Sequence, residues 1–361
     1  MKLRVAVVGA TGIAGQQFMP VLNNHPWFEV KRVAASKRSA GKTYREALTD
    51  ANGSFRYWAG ELPKDEILDL TVEDAAELNL DDIDLVFAAV ESDAARELEP
   101  LYAKTTPVIS TASAFRYEED TPIMVAGVNM DHAELIKVQQ KRRGWKGFIV
   151  PIPNCTVTGL VVTLKPLVET VGVEYVLVTT MQALSGAGRS PGVLGLDIID
   201  NVIPYIPGEE GKVEREGQKI LGTLAGDRIE PMALPVSATC TRVPVLDGHT
   251  EAVFVAAKRK ADLDEVKEAM ASFGKEFVEL GLPSAPDRLI HVHDDEFRPQ
   301  PRFDRELGGG MTTSVGRLRH DHVLPNGLKY VLLSHNTKMG AAKGAVLTAE
   351  YLVHAGYIPR P

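Results

Sequence analysis

Two residues have the type and setting for covalent chemistry. Cys155 stands in Pro153-Asn154-Cys155-Thr156, just before an apolar helical run. A thiol at a helix N-terminus meets the positive end of the dipole and free amides, so its pKa should fall and its thiolate fraction rise. Buried, inert cysteines are commoner, and Cys240 in Ala238-Thr239-Cys240-Thr241 reads as one of those on a strand. A reactive thiol needs a proton shuttle. His249, in Asp247-Gly248-His249-Thr250-Glu251 with Arg242 upstream, is the candidate, because imidazole titrates near neutrality and can take and return a proton.

A second constellation suits a dinucleotide. Gly9, Gly12 and Gly15 fall between a short apolar run, Leu3 to Val8, and an apolar-periodic stretch around Phe18, Val21 and Leu22. Glycines at such a strand-to-helix turn permit positive φ and close approach of backbone to a pyrophosphate. The spacing is not GxGxxG, and a tight turn without ligand is the alternative. At the end of the next strand an acid would select NAD by binding the ribose 2′-hydroxyl. The chain has Ala35-Ser36-Lys37-Arg38-Ser39 there, with hydroxyls and cations and no acid. That set fits a 2′-phosphate and favours NADP, although a solvated loop would account for Lys37 and Arg38 as well.

These residues need a frame, and 361 residues suit two domains. Strand-like runs at Val30 to Ala35, Leu85 to Val90 and Pro107 to Ser110 alternate with helical patterns such as Asp93 to Ala103, as a doubly wound parallel sheet requires. Beyond Pro153 the runs Val176 to Met181, Thr239 to Pro244 and Ala252 to Ala257 suggest a mainly antiparallel sheet with intervening helices. Gly340 to His354 reads as a C-terminal helix. The fold class expected is α/β: an N-terminal Rossmann-like domain over residues 1–152, joined by a C-terminal helix within 337–361, and an α+β catalytic and dimerisation domain over 153–336.

Composition excludes several functions. The net charge of −8 and the lack of a basic stripe interleaved with aromatics argue against nucleic-acid binding. No window approaches ~20 apolar residues, and the first strand begins too early for a signal peptide, so a soluble cytoplasmic protein is expected. Two cysteines make neither a disulfide framework nor a zinc cluster, and no metal is expected.

The motifs together resemble one family. Gly9 to Gly15, Pro153-Asn154-Cys155-Thr156, Gln182-Ala183-Leu184-Ser185-Gly186-Ala187-Gly188, Arg242-Val243-Pro244-Val245, Gly248-His249-Thr250-Glu251 and Ser334-His335-Asn336-Thr337 occur in the order found in aspartate-semialdehyde dehydrogenases. Pro-Asn-Cys-Thr and Gly316-Arg317-Leu318-Arg319 make the chain most similar to the archaeal and fungal branch. The resemblance implies that Cys155 attacks an acyl phosphate, that His249 is acid and base, and that Gln182 orients the acyl group. It implies Arg242 as clamp of the substrate α-carboxylate, Glu209 as partner of its ammonium, Arg116 and Lys212 as phosphate ligands, and Asn154 as a further substrate contact. Glu210 adjoins Glu209, and the choice rests on the spacing to Lys212. On the cofactor side it implies Gly9, Thr11, Gly12, Ile13, Ser36, Lys37, Arg38, Ser39, Ser185, Gly186 and Asn336. Where the family often carries asparagine, this chain has Ser110.

The implied reaction is reduction of L-aspartyl 4-phosphate to L-aspartate 4-semialdehyde and phosphate through a thioester on Cys155, with hydride from NADPH, in the synthesis of lysine, threonine, methionine and isoleucine. A homodimer or homotetramer is implied too. The rivals are an acyl-CoA reductase such as malonyl-CoA reductase, N-acetyl-glutamyl-phosphate reductase, and a non-catalytic NADP-binding redox sensor. Retention of Arg242, Gln182 and His249 speaks against the sensor, which needs none of them.

Overall fold

The run Leu3–Val8 (β1) has five of its six residues buried, as a strand covered on both faces should be. In the computed structural model, which describes residues 1–55, 61–187 and 194–360, it is a central strand of a six-stranded sheet. Its partners are Phe28–Ala35 (β2), Val72–Asp74 (β3), Leu85–Ala88 (β4), Val108–Ser110 (β5) and Ile149–Pro151 (β6). Every pairing is parallel and the order is β3-β2-β1-β4-β5-β6, the order of a dinucleotide-binding sheet. The helical pattern expected after the glycines breaks into two short helices, Ile13–Gln16 and Phe18–Leu22. This first unit comprises Met1–Met124, Asp131–Ile152 and Ala341–Pro361. Its C-terminal helix, Ala342–His354, is tied in by a buried pair, His25 Nε2 to Glu350 Oε1 at 2.7 Å.

The second unit comprises Val125–Met130 and Pro153–Gly340, so it claims residues 125–130 from the stretch read as the first domain. Its main sheet contains Val173–Gln182 (β7), Val236–Arg242 (β10), His249–Ala257 (β11), Ile290–Val292 (β12), Thr313–His320 (β13) and Leu328–Ser334 (β14). A separate hairpin joins Thr223–Ala225 (β8) to Arg228–Glu230 (β9). The order is β10-β7-β11-β14-β13-β12. Its three inner pairings are antiparallel, whereas β10 with β7 and β12 with β13 are parallel, so the sheet is mixed.

That topology gathers one end of the sheet. Parallel β7 and β10 finish there with Gln182 opposite Arg242, and β11 begins there with His249 opposite Ser334, the last residue of β14. Over the sheet lies the helix Cys155–Thr170, apolar on nearly all sides because the helices Glu209–Ile220 and Leu263–Ser272 also pack on it. Gly159 lets it approach: a Cβ there would lie 2.6 Å from Ser334 Cβ. The N-terminus of the helix is thereby brought to the gathered end.

Candidate active site

In the first unit the glycine turn is closely built. Gly9 has φ +79°, and a Cβ on it would meet Ala89 O at 2.2 Å. A Cβ on Gly15 would meet Gly9 O at 2.1 Å, while Tyr44 donates its hydroxyl to Ala10 O at 2.6 Å. Only hydrogen fits at these glycines, which is the cradle a pyrophosphate needs. Thr11 and Ile13 are half-buried and Gly12 is exposed. After β2, Ser36, Lys37 and Arg38 are exposed and Ser39 is half-buried, with Ser39 N–H bonded to Ser36 O at 2.8 Å. These residues therefore fit an NADP 2′-phosphate.

Arg116 also belongs to the first unit. It is buried, with Nε donating to Ile152 O at 3.0 Å and Nη2 to Thr111 O at 2.9 Å. Ser110 donates to buried Glu99 at 2.5 Å and accepts from Ala112 N–H at 3.0 Å. Burial pushes the Glu99 carboxyl up to about 8, opposed by the Ser110 bond and the Arg116 charge.

In the second unit Cys155 is the first residue of its helix, half-buried, with Sγ 3.2 Å from His249 Nε2. Asn154 is the N-cap. Its Oδ1 accepts from Thr156 N–H and Val157 N–H at 2.9 and 3.3 Å. Gly340 packs on the other side, where a Cβ would lie 2.9 Å from Cys155 Cβ. Cys240 is fully buried, and its thiol is pushed up to about 11 by desolvation. The two thiols thus differ in access, in partner and in environment.

His249 is fully buried, and its Nδ1 accepts the Ala183 N–H at 3.1 Å. A nitrogen that accepts carries no proton, so the neutral ring holds its hydrogen on Nε2, facing the sulfur. Burial, then the charges of Arg242 and His335, push His249 down to about 3. Arg242 is buried and donates Nη1 to Ala183 O at 2.7 Å; desolvation holds its pKa below the ordinary arginine value. Gly186 lies against both, since a Cβ there would meet His249 Cε1 at 3.0 Å and Arg242 Nη1 at 3.1 Å.

Glu209 is the hub of the polar residues. Its Oε1 accepts from Asn154 Nδ2 at 2.8 Å and Gln182 Nε2 at 3.2 Å, and its Oε2 pairs with Lys212 Nζ at 3.3 Å. Glu210 instead accepts from Cys240 N–H on β10 at 3.1 Å. Two further groups that no motif announces belong here: Glu216, fully buried and accepting Asn154 N–H at 2.7 Å, and the Ala183 amide. Glu251 is fully buried beside Glu209, with no hydrogen-bond partner on either oxygen among the described residues, and burial, then the Glu209 charge, raises its pKa well above that of an ordinary carboxyl.

Asn336 is buried, with Nδ2 donating to Ser185 Oγ at 2.8 Å and Oδ1 accepting from Gly248 N–H at 2.9 Å. It braces the residue before His249. Gly188, the last glycine of the Gln182 motif, lies outside the described residues.

Residues 4–136 match the family model described as "Semialdehyde dehydrogenase, NAD binding domain" and residues 164–339 the one described as "Semialdehyde dehydrogenase, dimerisation domain". The chain is 46% identical to an aspartate-semialdehyde dehydrogenase of Methanothermobacter thermautotrophicus over 97% of its length and 99% of the relative's. It is 42% identical to one from Candida albicans, over 97% of each chain. Among solved structures, the Candida albicans aspartate semialdehyde dehydrogenase with NADP superposes with a TM-score of 0.87 at 39% identity, covering 99% of this chain and 100% of that one. The Vibrio cholerae aspartate semialdehyde dehydrogenase II complexed with ASA has a TM-score of 0.74 at 27% identity, covering 98% and 99%.

Proposed function

The chain belongs to the aspartate-semialdehyde dehydrogenase family, and from that premise we propose how its own residues run the NADP-dependent reduction of L-aspartyl 4-phosphate to L-aspartate 4-semialdehyde and phosphate. The observation that carries the proposal is Cys155 Sγ 3.2 Å from His249 Nε2 at the start of a 16-residue helix. Cys155 is the nucleophile that forms the thioester, splitting one difficult reduction into two easier steps. His249 serves the carbonyl oxygen from Nε2, and Gln182 orients the acyl group.

Arg242 clamps the α-carboxylate; one guanidinium donor goes to Ala183 O, and five are available in all. Glu209 takes the ammonium, with Asn154 and Gln182 holding its carboxylate in place. Lys212 and Arg116 receive the phosphate. The glycine turn at Gly9, Thr11, Gly12 and Ile13, the loop Ser36 to Ser39, and Ser185, Gly186 and Asn336 serve NADP, which supplies the hydride when bound.

The second unit is also the dimerisation surface. On β7 the residues between the buried ones leave Leu177 and Thr179 exposed, an uncovered sheet face that suits a second copy of the chain, in a homodimer or a tetramer of dimers. The protein works in the cytoplasm; no helix among the described residues is long and apolar enough to cross a membrane.

The deciding experiment is NADP reduction by aspartate semialdehyde with and without phosphate. Turnover should require phosphate, arsenate should replace it and CoA should not, because cationic side chains suit a free dianion whereas a CoA thiol needs a long apolar channel. Phosphate-independent turnover with CoA would move the chain to the acyl-CoA reductases.

A further inference from the structure

The helix that begins at Cys155 lacks half of its own cap. Asn154 is the N-cap, and its Oδ1 accepts from Thr156 N–H and Val157 N–H. In a complete capping box the third residue of the helix is Glu or Gln and reaches back to the N–H of the N-cap residue. Here that third residue is Val157, apolar and fully buried, so the Asn154 N–H must find its acceptor elsewhere. Glu216 of the helix Glu209–Ile220 supplies it, with Oε2 2.7 Å from the Asn154 nitrogen across 62 residues of chain. Glu216 is itself fully buried, on the face formed by Val213, Gly217 and Ile220. Glutamate is almost never sealed off in this way unless a partner requires it.

With that bond every polar atom of Asn154 is engaged. Nδ2 donates to Glu209 Oε1 at 2.8 Å, and the backbone carbonyl accepts from Thr158 N–H and Thr158 Oγ1, each at 3.1 Å. Glu209 and Glu216 lie about two turns apart on one face, so a single helix grips both the side chain and the backbone of the residue before Cys155.

The same helix also grips a strand. β10 is an edge of its sheet, and alternate N–H groups along an edge are open unless something covers them. Cys240 N–H donates to Glu210 Oε1 at 3.1 Å, Ala238 N–H to Glu214 Oε1 at 3.3 Å and Arg242 N–H to Ile203 O at 2.8 Å. The glutamates thus divide into two pairs. Glu210 and Glu214 hold the strand that ends in Arg242, while Glu209 and Glu216 hold the start of the helix that carries Cys155. A solvated charged face would need none of these bonds.

We propose that Glu216 is a positioning residue for the nucleophile: from the helix Glu209–Ile220 it closes the capping box at Asn154 and fixes Cys155 against Glu209, Lys212 and Arg242. The proposal rests on the reading of Cys155 as the nucleophile and of those three residues as substrate ligands. Glu216 acts by accepting the Asn154 N–H, without contact to the substrate and without carrying a proton for it. Its loss leaves a buried amide unsatisfied and frees the first turn, which moves the sulfur and weakens the helix-end field that favours thiolate. A misplacement of about 1 Å at a reacting atom costs on the order of 100-fold in rate.

The test combines steady-state kinetics with alkylation of Cys155 by iodoacetamide, which needs no substrate. Glu216→Ala should lower kcat about 10- to 100-fold and slow alkylation at least about threefold, with KM for aspartate semialdehyde and for phosphate within roughly threefold of wild type. Glu216→Gln should recover at least about a third of both wild-type rates, because its amide oxygen accepts the same N–H, and the pH profile of kcat should keep its shape. Glu216→Asp keeps the acid but falls short by one methylene, so it should resemble Glu216→Ala and stands in for that variant should it not fold. Glu214→Ala, on the same helix, controls for general loosening. Its partner, the Ala238 amide, is only half-buried and can turn to water, so both rates should stay within about twofold of wild type.

Rates in Glu216→Ala and Glu216→Asp within about twofold of wild type would overturn the proposal. So would a Glu216→Gln enzyme as slow as Glu216→Ala, which would make charge and not the hydrogen bond the cause, or an equal loss in Glu214→Ala, the mark of a loosened helix. A wild type inactive with aspartate semialdehyde and phosphate would sink the reaction reading alone, because alkylation of the variants would still report how Cys155 is held.

Discussion

Cys155 and Cys240 show how far the surroundings of a thiol decide its chemistry. One begins a helix, half-buried and 3.2 Å from an imidazole nitrogen; the other is sealed in a strand with its thiol pushed up to about 11. Iodoacetamide at neutral pH should therefore label Cys155 first, with activity lost in proportion, and Cys155→Ala should abolish turnover while NADPH still binds. Peptide mapping that finds Cys240 alkylated first would reject the assignment. Both cysteines were separable in the sequence, because a helix start with Asn154 beside it is a local signal. Asn154, expected as a substrate contact, also caps the helix through its side-chain carbonyl and holds Glu209 through its amide. The Ala183 amide and Glu216 were not legible at all: a backbone donor has no letter of its own, and Glu216 meets Asn154 N–H only through packing across 62 residues. Asn154→Ala should cost about 1 kcal/mol for the lost cap, measured by urea unfolding. It should also lower kcat/KM by a further factor through the freed Glu209, so an enzyme destabilised but fully active would separate the cap from the site.

At the scale of elements, the helix bearing Cys155 is located by what it lies on. Two buried glycines make the point with one substitution and opposite signs. A Cβ at Gly159 would stand 2.6 Å from Ser334 Cβ, so Gly159→Ala must lift the helix off β14; a loss of roughly 1–3 kcal/mol is expected, with slower Cys155 alkylation as the helix start shifts. A Cβ at Gly217, in the helix Glu209–Ile220, would meet Val161 Cγ1 at 3.6 Å, an ordinary contact, so Gly217→Ala should gain up to ~1 kcal/mol from helix propensity. Thermal unfolding of both variants settles the pair, and equal destabilisation would mean that backbone freedom, not the sheet contact, explains Gly159. The alternation of strand and helix made the first sheet readable from composition. The second sheet is mainly antiparallel, as its sequence leads one to expect, while its parallel edges at β10 and β12 are not legible there because valine and threonine mark strands without marking direction. The loop after β2 carries a specificity prediction of its own. NADP should be used at least about tenfold better than NAD, ~1.4 kcal/mol, and Ser36→Asp should narrow or reverse that by repelling the 2′-phosphate; equal kcat/KM values for the wild type would refute it.

For the molecule as a whole, groups buried in uncharged form set the dependence of stability on pH. Glu99 rises from 4.5 to about 8, and Glu251 rises well above 4.5. His249 falls from 6.5 to about 3 and His293 from 6.5 to about 4, mainly through burial. For the two glutamates, the unfolded chain releases its protons near 4.5 while the folded one holds them, so stability declines as pH rises from 4.5 to about 8 in the case of Glu99. For the two histidines, the unfolded chain binds protons below 6.5 that the folded one refuses, so stability declines as pH falls from 6.5 toward 4 and 3. Between 4.5 and 6.5 the two kinds oppose one another, and His291 and His335, also held below the ordinary histidine value by burial, add to the loss on the acid side. Above 6.5 the glutamates set the slope, and below 4.5 the histidines are joined by carboxyls held down by their partners, among them Asp120 beside Arg143 and Asp321, held at about 2 by its bond from Lys329. The enzyme should therefore be most stable at about pH 6 and lose stability on both sides. Glu99→Gln should flatten the alkaline side, with a gain of order several kcal/mol at pH 8, because an amide has no proton to lose and still accepts from Ser110. Urea unfolding of wild type and Glu99→Gln at pH 6 and pH 8 reads this directly. A wild type at least as stable at pH 8 as at pH 6, or a variant with the same alkaline slope as its parent, would show that Glu99 ionises freely in the fold.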